Sequence, residues 1–149
     1  MQRRAFLQNI GLAAAAAAVI TPSAVWGAEA PKGPNAMGLD AALKAVTGGA
    51  KVTPSSKVHL KAPEIAENGA VVPVSVSTSL GNVDSIAVIA EKNGTPLASN
   101  FRLGANTVAD VSTRIKMGKT SDVIAVVKAN GKAYTARKNV KVTIGGCGG

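Results

Sequence analysis

Aromatic residues are only 3% of this 149-residue chain, and histidine and cysteine occur once each. Each scarcity removes a class of function. With so few rings there is little to line a wide cavity for a flat cofactor such as haem or flavin. Nor is there the aromatic interleaving on which nucleic-acid bases stack. A lone His59 beside a single thiol does not make a zinc site. No Cys-x-x-Cys pair, glycine-rich phosphate loop or paired-carboxylate motif is present, so no cofactor or metal is expected. His59 lies in the middle of a strand-like run, Lys57 to Lys61, and reads as a surface or packed residue rather than a catalyst. Ser112-Thr113-Arg114 alternates along another such run, and Glu67-Asn68-Gly69 is a turn; neither has nucleophile-and-base logic by itself. Acidic residues are also few, 8 against 17 lysines and arginines, which leaves a formal charge of +9.

What is present begins with a leader. Residues 1–30 combine Arg3-Arg4 with Ala5-Phe6-Leu7, an alanine-rich apolar stretch from Ile10 to Ile20, and small residues before Glu29. This is the pattern of a twin-arginine export signal, with cleavage expected between about residues 24 and 30. The apolar stretch is shorter than the roughly 18 residues a membrane span needs, so no anchor is expected and the destination is the periplasm. Losing Arg3, Arg4 and Glu29 would lower the charge by one, leaving a basic mature protein. Twin-arginine export carries folded cargo, so the chain is expected to leave the cytoplasm already docked to a partner that lacks its own signal. Between Asp122 and the C-terminus lie Lys128, Lys132, Arg137, Lys138 and Lys141. That run predicts a concentration of positive charge beside the chain's end, able to steer acidic proteins or small anions.

Residues 31–56 read as a polar linker followed by a short helix. Leu39, Leu43 and Val46 share one helical face, and Gly48-Gly49 stops the helix. Residues 57–144 change to period two. Seven β-rich runs (57–61, 70–78, 83–90, 98–103, 109–117, 121–129 and 132–144) are separated by turn signals such as Gly81-Asn82, Asn93-Gly94 and Gly104-Ala105-Asn106. Seven short strands in about 90 residues predict an all-β antiparallel sandwich of one domain. Asn130-Gly131 is the strongest hairpin signal, since both residues tolerate the positive φ of a type I′ turn. Pro73 places its strand at an edge or a bulge.

The last strand runs to Ile144 and is followed by Gly145-Gly146-Cys147-Gly148-Gly149, residues 145–149. Four neighbours without side chains leave the only cysteine nothing to pack against, so the thiol is offered outward. Glycine frees the backbone and keeps the arm thin enough to thread a narrow channel, and Cys147 can lie about 10 Å beyond Ile144. In an oxidising compartment an unpaired cysteine must join another chain, carry a group or react. As a carrier, the arm would hold its cargo at roughly millimolar effective concentration beside any docked enzyme. The alternative is a redox or disulfide-linked interaction protein. A prenyl anchor would need cysteine fourth from the end, whereas this one is third. A terminal glycine thiocarboxylate needs ATP-dependent activation in the cytoplasm, against which the export signal argues. The terminal carboxylate raises the thiol pKa and the basic body lowers it, so the balance stays open at this level.

With a β domain behind an export signal, the terminal VKVTIGGCGG and the internal runs PEIAENGAVVPVSV and VSTRIKM, the chain resembles the SoxY family from leader to Gly149. These are the carrier subunits of bacterial thiosulfate-oxidising multienzyme systems. The resemblance implies an immunoglobulin-like sandwich and a heterodimer with a SoxZ-like subunit. It also implies covalent sulfur attachment at Cys147, with Gly145, Gly146, Gly148 and Gly149 as the swinging arm. The implied transient partners are a haem-containing SoxAX enzyme, a SoxB hydrolase and a further oxidation system of the SoxCD type. The protein would be a substrate carrier rather than an enzyme, its only prosthetic load being the sulfur intermediates themselves. Candidate faces for the SoxZ-like subunit are the helix around Leu39 and Leu43 and an exposed strand edge.

Overall fold

The computed structural model describes residues 38–144. The expected export signal with Arg3 and Arg4, most of the expected linker, and the expected arm with Gly145, Gly146, Cys147, Gly148 and Gly149 lie outside the described residues.

One helix, α1 (Leu39–Thr47), precedes nine strands: β1 (Val52–Pro54), β2 (Val58–Lys61), β3 (Ile65–Ala66), β4 (Val72–Thr78), β5 (Val83–Ala90), β6 (Leu97–Arg102), β7 (Asp110–Ile115), β8 (Ser121–Ala129) and β9 (Lys132–Val142). The larger sheet runs β1-β9-β8-β5-β6, with β3 also paired to β9, and the smaller runs β2-β4-β7. All seven expected strands are present and form the two-sheet sandwich that the resemblance implies. Two further strands, β1 and β3, were not foreseen, and both pair with β9 in parallel. The chain lies along the start of β9 as β1, crosses to the small sheet as β2, and returns to the end of β9 as β3. The sandwich is therefore antiparallel everywhere except along this one edge.

The hairpin at Asn130-Gly131 forms as expected. Both residues have positive φ, 52° and 72°, and the register pairs Ala129 with Lys132 across a two-residue loop. Asn82, also at positive φ, reaches across to it: its Nδ2 donates to Asn130 Oδ1 at 3.1 Å, while Asn130 Nδ2 donates to the Gly81 carbonyl at 3.3 Å. These bonds stitch one end of the sandwich shut. Pro73 pairs with Arg114 of β7, while β2 ends opposite Ser75. At the proline, then, β4 has a neighbour on one side only, which is where a missing N–H does no harm.

The core between the sheets follows period two on β4, where Val72, Val74 and Val76 point inward against Ile86 and Val88 of β5, Val123, Ala125 and Val127 of β8, and Val140 of β9. The residues between these on β5 and β8 do not face water. Ala87, Ile89, Ile124 and Val126 meet Ala42 and Val46 of α1, with Leu39 and Leu43 packed at the margin. This second apolar layer explains why β5 and β8 read as nearly unbroken hydrophobic runs. A nine-residue helix is marginal alone in water, so α1 owes its stability to this contact, at about 2 kcal/mol for each fully buried aliphatic side chain. It ends where expected, Gly48 taking the left-handed conformation (φ 66°) and donating its N–H to the Lys44 carbonyl. Leu39 and Leu43 thus pack against the body, and the helix face that carries them is already in use.

Candidate functional site

β9 is the longest strand described, at 11 residues, and its final stretch is the root of the arm. Four successive residues there are tied on alternating sides. Lys141 N–H donates to the Glu64 carbonyl at 2.9 Å, and Thr143 N–H donates to the Ala66 carbonyl at 3.1 Å. Between them, Val142 N–H points the other way and donates to Thr120 Oγ1 at 2.9 Å, so a side chain stands in for the strand residue that β8 lacks beyond Ser121. Lastly, Gly69 N–H donates to the Ile144 carbonyl at 2.8 Å. The backbone is held up to the peptide that begins Gly145.

The turn at Glu67-Asn68-Gly69 is the socket for this root. Asn68 Oδ1 accepts the Ala70 N–H at 2.9 Å, the local bond that shapes such turns. Gly69 is held from both faces, its own carbonyl accepting the Met117 N–H at 2.7 Å. Met117 is fully buried in the core. One residue on, Gly118 N–H donates to Asn93 Oδ1 at 3.1 Å, and Asn93 Nδ2 donates to the Lys116 carbonyl at 2.6 Å. The runs PEIAENG and RIKM, far apart in sequence, therefore meet as the support beneath Ile144. Sequence reasoning read the first correctly as a turn and missed what the turn holds. The signal available was its own turn chemistry next to a conspicuous terminal motif.

The expected concentration of positive charge beside the arm needs correction. Lys128 and Lys132 sit at the hairpin end of β8 and β9, and Lys132 is nine positions from Lys141 along β9, about 30 Å at strand rise. Arg137 is engaged on the sheet face, 3.3 Å from Asp122 and 3.6 Å from Glu91. Only Lys141 of that run lies in the root. Exposed Glu64 and Glu67 flank the same strand end, and Lys119 approaches it beside Thr120, so the charge there is mixed.

His59 is exposed on β2, opposite Ser77, and no cluster of three His, Cys, Asp or Glu side chains occurs among the described residues. Ser112 is likewise on an outer face, its hydroxyl 2.8 Å from that of Ser75. Neither forms a reactive arrangement.

The model of the family described as sulfur oxidation protein SoxY matches residues 43–147, from within α1 through the cysteine. The chain belongs to the SoxY family. Among solved structures it is similar to the sulfur carrier protein SoxY from Chlorobium limicola f thiosulfatophilum, with 42% identity and a TM-score of 0.65, covering 71% of this chain and 96% of that one. Superoxide reductase (neelaredoxin) from Ignicoccus hospitalis shares the fold alone, at 19% identity and a TM-score of 0.51 over 58% of this chain and 80% of that one. A variant of that reductase gives 21% and 0.51 over 71% and 93%. A search of curated protein sequences gave no match. As a SoxY-family member the chain is a sulfur-oxidation protein built on the immunoglobulin-like sandwich.

Proposed function

We propose that this protein is a covalent carrier of sulfur intermediates in periplasmic thiosulfate oxidation, with Cys147 as the attachment point. The observation that carries the reading is the root: the backbone is bonded on both sides up to the Ile144 carbonyl, and the only thiol follows three residues later among glycines. A fixed root and a narrow tip suit a group that must be presented at a constant place and then inserted into another protein. The name of the Chlorobium relative, a sulfur carrier protein, supports the same role.

Loading joins the outer sulfur of thiosulfate to Sγ. The thiol loses its proton, two electrons pass to a haem-bearing enzyme of the SoxAX type, and a cysteine S-thiosulfonate results. Water then attacks the sulfonate sulfur in a SoxB-type hydrolase; the S–S bond to the sulfonate breaks, sulfate and protons leave, and a persulfide stays on the arm. A SoxCD-type system would oxidise that sulfane sulfur further. Beyond offering its sulfur atom and that atom's position, the carrier performs no acid, base or redox step. A SoxZ-like subunit completes the complex before twin-arginine export. Because α1 is packed on its own sheet, an exposed strand edge is the better of the two candidate faces for that subunit.

Mass spectrometry of the C-terminal peptide after incubation with thiosulfate and the loading enzyme tests the role. Thiosulfonate or persulfide on Cys147, and none on Cys147→Ser, is the expected result. Disulfide dimers or glutathione adducts alone would favour the thiol-redox reading instead. Fractionation of cells carrying Arg3→Lys and Arg4→Lys tests export, the double variant being retained in the cytoplasm.

A further inference from the structure

Apolar residues at the arm root are more exposed than folding alone would ask. Ile144 is 68% exposed, Ile65 57% and Val71 51%. They come from three different segments. Ile65 pairs beside Lys141, three residues before Ile144, and Val71 is two residues beyond the Gly69 that holds Ile144. Strand spacing and rise put both within about 12 Å of Ile144. All three lie at the end of the sandwich from which the arm departs.

Covalent geometry says what must cover them. Cys147 lies at most about 10 Å from Ile144, so an enzyme that receives its sulfur must bring its reacting atoms within that distance of the root. Even a weak encounter burying about 600 Å² on each side is a disc some 14 Å in radius. Centred on the arm, such a disc takes in Ile65 and Val71. We infer that Ile65, Val71 and Ile144 form an apolar collar that seats on the rim of the channel into which the arm passes, in the enzyme that loads Cys147. This inference rests on the carrier role proposed above. The mixed charge around the collar fits the same picture. Glu64, Glu67 and Lys141 would order the rim, while the apolar side chains exclude water from the channel mouth.

The test compares carriers as substrates of the haem-bearing loading enzyme, at varied carrier concentration and saturating thiosulfate. Ile65→Asp with Val71→Asp should raise KM at least tenfold at unchanged kcat, with unchanged melting and unchanged reaction of Cys147 with a small maleimide. If the aspartates impair folding, Ile65→Ser with Val71→Ser carries the same comparison. Val108, 80% exposed, lies in the loop before β7 at the opposite end of the sandwich, and Val108→Asp should leave KM as in wild type. Wild-type KM in the collar variants would overturn the inference, as would an equal rise with Val108→Asp. Loss of co-purification with the SoxZ-like subunit would also overturn it, by assigning the collar to that interface. A wild-type chain that is never loaded at any concentration would instead refute the carrier role beneath it.

Discussion

Replacing Thr120 by valine should loosen the arm root by removing a single hydroxyl. The side chain keeps its shape and loses the hydroxyl that accepts Val142 N–H at 2.9 Å; a second contact, to the Val142 carbonyl at 3.5 Å, is too long to add much. The Val142 amide is then left unpaired in a partly buried strand, at a cost of about 1–3 kcal/mol. Every opening that returns this amide to water becomes easier by that amount, a factor of about 5 to 150. The informative amides are those whose own bonds are untouched: Lys141 to Glu64, Thr143 to Ala66, and Gly69 to Ile144. Residue-resolved hydrogen exchange should show all three accelerated together, since they open with Val142. Gly48, whose amide caps α1 on another face, should exchange at its wild-type rate. Melting should fall by roughly 4 °C for each kcal/mol in a body of this size. Unchanged exchange at Lys141, Thr143 and Gly69 in a folded variant would refute the idea that these bonds hold the root as one unit.

Three further substitutions test the frame around it. Gly131→Ala meets no atom within 4 Å but must hold φ near 72°, so a loss of about 1–2 kcal/mol in urea titration is expected, all of it conformational. Met117→Ala empties a fully buried site beneath the root, with an expected loss of about 2–5 kcal/mol by the same measurement. Ala42→Asp puts a charge where α1 meets Ile89 and Ile124; loss of helix protection in hydrogen exchange while the β8–β9 ladder stays protected would show that α1 is an applied layer rather than part of the sandwich core.

The parts of the fold legible from sequence were those governed by local chemistry. Asn130-Gly131 declared its hairpin because few other residues accept positive φ twice in succession, and Gly48 ended α1 for the same reason. The seven longer strands followed from β-rich runs between turns. What escaped was non-local. β1 and β3, at three and two residues, are too short for a period to register, and Pro54 argues against a strand when its parallel partner, Thr135, lies 81 positions away. The charge argument failed for a related reason: Lys128 and Lys132 are near the arm in sequence but stand a full strand length from its root. Cys147 stands out in the sequence because all four of its flanking residues are glycine. The socket formed by Glu64, Ala66, Gly69 and Thr120 was not, since nothing local marks a carbonyl or a hydroxyl as the partner of a strand end.

That socket bears on why the arm grows from β9 and not from some other strand. β9 pairs with β8 from Lys132 to Val140 and, on its other edge, with β1 at Ala133–Thr135 and with β3 at Lys141–Val142, and its inward side chains close the core. Regions with many buried contacts and paired backbone groups open only with the whole fold, whereas edge strands and chain ends fray first. A tether rooted on an edge strand such as β6 would move with that fraying, and its tip would sample a volume set by the strand as well as by the glycines. Rooted on β9 and tied at four consecutive residues, a tether of three residues can place its tip no farther than about 10 Å from the root. Effective concentration falls as the accessible volume grows, so a short tether on a firm root delivers its cargo at the highest local concentration that still permits entry into a channel. A longer arm would reach more and present less. Inserting Gly-Gly before Gly145 should therefore leave the fold and the thiol unchanged while lowering the rate of sulfur transfer at subsaturating enzyme; a rate equal to wild type would mean that reach, and not placement, limits the transfer.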